Sequence, residues 1–353
     1  MNFSYRFPVV KGIQAGKIYY IAMVPLKMLG RLFASDEEYV LPEYRAQRRL
    51  NEARIPEIKK YILDNMDTYV FSALAASIDG EFNFLEKDND GTGILEVALD
   101  AKFLINDGQH RKAAIMAALE ENPVLEDETI SVVFYEDQGL ARSQQMFTDL
   151  NKHALKTSNS LAELYDSRDL LAVATREVIS EIDFLNTYVD KEKDNLGKYS
   201  ASLFTLNIFY SANKKILRRK ECDEDFKEFL KMFWGLVVKY MVPWNDLISK
   251  ELSKTELREQ YIAAQGVVIK AFGRVGGYLF EHDECELDQY LPKIINVNWK
   301  RNAVQWKRRV IGNNGRMITN SNAVLLAGNV IKNYMELPLT EDEKNAEDKF
   351  MNN

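Results

Sequence analysis

The chain has 353 residues, 46 % hydrophobic and 28 % charged, which is enough apolar material for two cores and excludes global disorder. With 46 Lys plus Arg against 53 Asp plus Glu the formal net charge is −7, so the molecule is not basic all over, although a local basic patch is compatible with that total. Only two cysteines occur, Cys222 and Cys285, in no CxxC pair, which excludes a disulfide framework and a zinc finger.

In chain order, Lys17 to Val24 is β-branched and aromatic and predicts a strand, followed by a helical Pro25 to Phe33. Ile55 to Asn65 puts Ile55, Ile58 and Ile62 on one helical face, with Pro56 tolerated in the first turn. Strands are expected over Thr68 to Ile78, Ile94 to Leu99, Ala101 to Ile105 and Thr129 to Tyr135, and helices over Gln109 to Glu121 and Leu140 to Asn151. This alternation predicts an α/β domain over residues 1–160. Beyond it, long 3.6-period segments (Ser167 to Phe184, Phe226 to Tyr240, Leu257 to Phe272) predict a mainly helical domain over 161–336, giving an α+β chain. Residues 337–353 read as a polar, frayed tail. No run of 18 apolar residues occurs, and the opening residues lack the layout of a signal peptide, so a soluble, cytoplasmic protein with no membrane partner is expected.

Charge is unevenly spread. Residues 289–335 contain no Asp or Glu, where about seven would be expected at the chain-wide frequency. The same stretch carries Lys293, Lys300, Arg301, Lys307, Arg308, Arg309, Arg316 and Lys332, a local charge of +8. Laid on a helix, Val297 to Ile311 forms an apolar stripe of Trp299, Ala303, Trp306 and Val310. Arg301 and Arg308 then fall on the opposite side, with Lys300 and Lys307 beside them. A merely solvated face usually mixes both signs, whereas a face that grips a polyanion excludes one, so DNA contact is the sharper expectation. The tryptophans, on the opposite stripe, read as core anchors.

A second candidate is the junction at Asp107, Gly108, Gln109, His110 and Arg111, where a predicted strand runs through a glycine straight into a helix. Such a junction exposes backbone N–H groups and the positive end of the helix dipole, which suit a phosphate. Gly108 permits close approach, and Arg111 offers charge-assisted bonds. The plainer alternative is that Asp107 caps the helix and His110 and Arg111 are exposed first-turn residues. The carboxylate of Asp107 sits awkwardly with direct anion binding and suits a metal ion or a ribose hydroxyl at least as well.

The pentapeptide Asp107 to Arg111 resembles the signature of DGQHR-domain proteins. Tyr44 to Ile62, Met146 to Leu161 and Asn298 to Gly312 extend the resemblance to the DndB family of DNA sulfur modification proteins, in matching order along nearly the whole chain. The resemblance implies a ParB/sulfiredoxin-like first domain in which Gly108 and Arg111 bind nucleotide phosphates. Sulfiredoxin-type repair needs a Cys immediately before His110, and Gln109 stands there, which excludes that chemistry. ParB-type enzymes carry Glu-Arg-Arg after the glycine, against Gln-His-Arg here, which counts against a CTP clamp. The resemblance further implies a DNA-binding repressor of the DNA phosphorothioation operon that contacts promoter duplex and works beside other DNA sulfur modification proteins; a homodimer is expected only from the two-fold habit of repressors. The alternative it leaves is an accessory NTP hydrolase using ATP or another NTP with magnesium at the junction.

No GxxxxGK[ST], GxSxG or HExxH pattern is present, and His110, His153 and His282 lack metal-ligand spacing. The EHDECE run around His282 and Cys285 reads as an acidic loop. Asp149, Asn151, Lys152 and His153 close the Leu140 to Asn151 helix and fit either the pocket of Asp107 or a plain helix end. A second basic cluster, Arg45, Arg48, Arg49 and Arg54, fits either that pocket or DNA. Gly273, Gly276 and Gly277 suggest close helix packing.

Overall fold

A computed structural model describes residues 4–33, 54–136, 157–197, 199–218, 220–282 and 286–352. The chain divides into two compact units, Met1–Leu155 and Lys156–Asn353. The architecture is mixed α and β.

The first unit is built on a seven-stranded sheet of order β4-β5-β1-β2-β7-β3-β6. Its strands are β1 (Ser4–Gln14), β2 (Lys17–Pro25), β3 (Leu74–Asp79), β4 (Phe82–Glu86), β5 (Thr92–Ala98), β6 (Lys102–Asp107) and β7 (Thr129–Glu136). Pairing is antiparallel except between β3 and β7. Alternation had suggested an α/β sheet, but five of the six strand pairings are antiparallel, and two of them, β1 with β2 and β4 with β5, are hairpins. Ala15 and Gly16 both take positive φ, 50° and 72°, the two-residue hairpin geometry whose twist matches the flanking strands.

Period-2 patterning decides which sheet face is covered. In β2, Tyr20, Ala22 and Val24 are buried while Ile21 and Met23 stay exposed. The buried face continues through Phe7, Leu95, Leu74, Ile105, Val132 and Phe134. It packs against Ile62 of α1 (Ile55–Asp64) and against Ile115, Ala118 and Leu119 of α2 (Gln109–Glu121). The strand expected from Thr68 begins only at Leu74. The Thr68 and Tyr69 N–H groups both donate to Asn65 O, at 2.9 and 2.8 Å, closing a turn that keeps them out of the ladder.

The second unit is helical. Its elements include α3 (Asn159–Tyr165), α4 (Leu170–Glu181), α5 (Asp183–Tyr188), α6 (Leu206–Leu217), α7 (Glu224–Tyr240), α8 (Val242–Ile248), α9 (Lys254–Gln260), α10 (Gly266–Glu281), α11 (Ser321–Tyr334) and α12 (Glu341–Met351). At its centre α10 is buried nearly all round, as an apolar helix in the middle of a bundle must be. Aromatic pairs fill the space about it, with Phe184 stacked on Trp244 at 4.9 Å and Phe209 edge-on to Trp234 at 4.9 Å. The polar atoms among them are paired in a chain. Trp234 Nε1 donates to Asn213 Oδ1 at 2.8 Å, and Asn213 Nδ2 donates to Thr175 Oγ1 at 2.9 Å.

Glycines let α6 lie directly on α10. A Cβ at Gly273 would sit 2.5 Å from the Ala212 carbonyl oxygen, and one at Gly277 2.7 Å from that of Lys215. Backbone cannot step aside as a side chain can. Gly273→Ala should therefore destabilise this unit by about 1–3 kcal/mol despite the better helix propensity of alanine, read as an earlier urea midpoint. A midpoint equal to or above the parent's would contradict the close packing.

Two expectations fail here. The Leu257 to Phe272 helix is two helices, α9 and α10. The break occurs because Ile262 N–H donates to Trp299 O at 3.0 Å and Gln260 O accepts from Arg301 N–H at 2.7 Å, diverting backbone groups from the helical ladder. The polar tail is not frayed, because Glu341–Met351 forms α12 under a capping box made by Thr340 and Glu343.

Candidate functional site

At the end of β6 the chain turns through Gly108, at φ 99° and ψ 15°, into the 13 residues of α2. No side chain caps this helix. Asp107, the cap in the plainer alternative, instead pairs with Arg111, Oδ2 to Nη2 at 2.5 Å. Arg111 Nη1 donates to Ser72 O and Oγ, each at 2.6 Å, and to Ala73 O at 2.9 Å. The guanidinium thus ties the junction to the segment entering β3, and its first role is architectural.

Gln109 Nε2 donates to Ile105 O at 3.3 Å. The first helical bond is Lys112 N–H to Gly108 O at 2.9 Å, so the N–H groups of Gln109, His110 and Arg111 precede the ladder and mark the positive end of α2. Burial, with the Arg54 cation adding to it and Asp107 opposing, holds the His110 imidazole below its usual range. That shift favours the neutral, hydrogen-bonding ring over the imidazolium.

The cationic segment is not the helix that its spacing suggested. Val297 to Ile311 is a folded loop containing one 3-10 turn, Val304–Trp306, because its backbone groups bond elsewhere. Besides the bonds to α9 and Ile262, Asn298 O accepts from Trp306 Nε1 at 2.7 Å and from Gln305 Nε2 at 3.0 Å. Arg308 takes φ 63°, which no right-handed helix contains, and its N–H donates to Ile311 O at 2.6 Å. The tryptophans are core anchors as expected: Trp299 and Trp306 stack at 5.6 Å, with Phe272 beside Trp299.

The eight cations of residues 289–335 split into two sets. Lys332 is buried and pairs with Glu343 at 2.7 Å, Lys293 pairs with Glu336 at 2.6 Å, and Arg309, also buried, pairs with Glu347 while its guanidinium lies 4.0 Å over the Phe350 ring. Arg309, grouped from sequence with the DNA contacts, is thus an internal tie between the loop and α12. Lys300, Lys307, Arg308 and Arg316 are exposed and have no carboxylate partner among the described residues. Arg301 is half-buried and donates through Nη2 to Gly315 O at 2.8 Å. Sequence reasoning missed the three acids that pair with these cations, because Glu336, Glu343 and Glu347 lie just beyond the acid-free window.

Arg45, Arg48, Arg49, Asp149, Asn151, Lys152, His153 and Cys285 lie outside the described residues. His282 is engaged structurally, with Nδ1 2.8 Å from Tyr278 O and its ring stacked on Tyr278 at 4.0 Å. Among the described residues no cluster of His, Cys, Asp or Glu could hold a metal ion, and no helix is long and apolar enough to cross a membrane.

A sheet unit with a strand–glycine–helix junction and a helical unit with an exposed cationic loop define a two-unit protein of mixed α and β architecture. Its family follows from comparison: a model described as DndB, DNA-sulfur modification-associated, matches residues 7–338, and the chain belongs to that family. Membership links the protein to DNA sulfur modification. Comparison with curated proteins and with solved structures gives no significant match in either.

Proposed function

We propose that this protein is a DNA-binding repressor of the operon for DNA sulfur modification, gripping promoter duplex through Lys300, Arg301, Lys307, Arg308 and Arg316. The observation that carries this reading is the sorting of the cations. The one cation that the loop buries, Arg309, meets a carboxylate on α12, and its exposed cations meet none among the described residues. Exposed cations in a segment free of acids attract phosphate from any direction, and Asn313, Asn314 and Thr319 beside them add neutral polar groups of the kind that contact DNA backbone and base edges. A homodimer would carry two such loops to one duplex, as paired half-sites require.

Footprinting on the promoter of the neighbouring modification operon, with a scrambled duplex as control, tests the reading. Protection of the promoter alone is expected, and equal protection of both duplexes would leave a non-specific binder instead of a repressor.

A second reading is favoured by one observation at the junction: a 13-residue helix with no side-chain cap, opened by a left-handed glycine. In this reading the first unit is ParB/sulfiredoxin-like, and backbone N–H groups of Gln109 to Arg111 receive an NTP phosphate, with magnesium supplied alongside the nucleotide. Because Arg111 is tied to Asp107, Ser72 and Ala73, it would position the glycine turn rather than contact the phosphate. This makes the protein an NTP-responsive accessory of the modification system, acting with its other components.

A further inference from the structure

Where α11 and α12 pack together, a cleft of about 450 Å³ opens beneath Arg308. That lies within the roughly 300–1,000 Å³ of small-ligand sites. Its lining is amphipathic. Phe350 contributes an aromatic ring, and the planar Arg308 guanidinium lies 5.6 Å from that ring's centre. Asn322 from α11 and Asn345 from α12 bring two primary amides, Arg308 a cation and Asp342 a carboxylate.

We infer that this cleft binds one nucleotide, a planar base carrying a phosphate. Each part of the lining answers to a part of that ligand. Bases stack on aromatic rings and on guanidinium planes whatever their identity. An Asn amide offers one donor face and one acceptor, matching the mixed edges that bases present. Asp342 accepts from an exocyclic amine. Arg308, exposed at the mouth, draws the phosphate.

The position of Arg308 supports a ligand-directed role. Its left-handed backbone, which costs a non-glycine residue on the order of 1 kcal/mol, is held by the bond to Ile311. Both neighbouring guanidiniums approach the Phe350 ring, the buried Arg309 at 4.0 Å and Arg308, exposed at the cleft, at 5.6 Å. An acidic peptide suits the lining less well, since it has no use for an aromatic wall flanked by two amides.

The nucleotide has two sources, free in solution or unpaired within a DNA strand. The second source rests on the duplex-binding reading proposed above, and the first does not. Full-length protein is titrated by calorimetry with the four deoxynucleoside 5′-monophosphates and, separately, with inorganic phosphate. It is also titrated by fluorescence anisotropy with a duplex bearing one unpaired nucleotide and with its fully paired counterpart. Two variants are compared with the parent: Asn345→Asp, and Asn322→Asp, which sets a carboxylate in the first turn of α11 where the helix dipole welcomes it and folding is not at risk.

The expected result is binding of mononucleotides, or a preference for the unpaired duplex, weakened at least tenfold in both variants. Affinity for the fully paired duplex falls by less than tenfold, because Arg308 is one of five cations that grip it. Binding of mononucleotides with no preference between duplexes assigns the free source, and the reverse assigns the strand. Mononucleotide binding by a protein with no duplex affinity would overturn the repressor reading and keep the cleft. Equal affinities in parent and variants, or binding of phosphate alone as tightly as of nucleotide, would overturn the cleft.

Discussion

Replacing Glu343 by Ala should lower the stability of the helical unit by about 3–5 kcal/mol, and its melting temperature by roughly 6–20 °C. Glu343 is 3 % and Lys332 1 % exposed, so neither charge has water to fall back on. The carboxylate meets Lys332 at 2.7 Å, Arg274 at 3.1 Å and the Thr340 N–H at 3.0 Å. Its removal strands an ammonium and part of a guanidinium in the interior, a larger penalty than the loss of the attraction itself. Changing both members to apolar residues of similar size, Lys332→Met with Glu343→Leu, should cost much less than the single change, because no uncompensated charge is left.

The pH dependence has a defined sign. Burial would raise the Glu343 carboxyl, but the Lys332 bond, the Thr340 N–H and Arg274 outweigh it and hold the group below its usual range. Lys332 also lies below its usual range, because burial weighs more than its single carboxylate partner and Arg274 and Arg218 add like charge. The carboxyl is the group with several partners, so it governs the acid limb. A depressed carboxyl contributes stability that is complete above its unfolded value, about 4.3, and is lost as pH falls through the lower folded value. Melts between pH 3 and 7 should show that slope in the parent and a shallower one in Glu343→Gln. All four tryptophans, Trp234, Trp244, Trp299 and Trp306, lie in this unit, so their fluorescence reports it alone. A loss under about 1 kcal/mol in Glu343→Ala would show that the cluster is not closed to water.

Gly108→Ala should destabilise the sheet unit by roughly 2–4 kcal/mol and remove any nucleotide response. At φ 99° an alanine is strained by the backbone alone, and its Cβ would lie 2.3 Å from Cδ2 of Leu74, a side chain with no exposure of its own. It would also press on the Arg111 guanidinium at 3.2 Å, disturbing the bonds to Ser72, Ala73 and Asp107. Thermal melts followed by far-ultraviolet circular dichroism, with and without ATP, CTP or GTP and magnesium, check both effects. Stabilisation by a nucleotide in the parent and its loss in Gly108→Ala support the second reading. A parent that no nucleotide stabilises would remove it.

What the sequence made legible follows from how local each signal is. Helix α2 is recovered from Gln109 to Glu121 because its helix-forming Ala, Ile, Met and Leu, the preceding glycine and the following Asn122-Pro123 are all local signals. Strand β7 is recovered from its alternation, to within a residue of its end. Strand β1 gave too weak a pattern, although Ala15-Gly16 after it was a usable turn signal.

The cationic loop is the instructive failure. Trp299 and Trp306 stand seven residues apart and do share one apolar environment, but a stacked pair within a loop meets that spacing as well as two turns of helix do. Only the distant partners Gln260 and Ile262 decide between them, and no window on the loop contains those residues. The same limit hid the pairing of Arg309 with Glu347, which spans 38 positions and divides a uniform run of charge into buried and exposed halves.

The central claim is that the exposed half of that charge holds DNA, and its most direct test is the salt dependence of binding. Anisotropy of labelled promoter duplex is measured from 50 to 300 mM salt for the parent and for a variant with Lys300, Lys307, Arg308 and Arg316 all changed to Ala. If each cation neutralises one phosphate, the slope of log affinity against log salt should be shallower by about 3.6 in the variant, at about 0.9 per contact. An unchanged slope in a variant that folds normally would contradict the account.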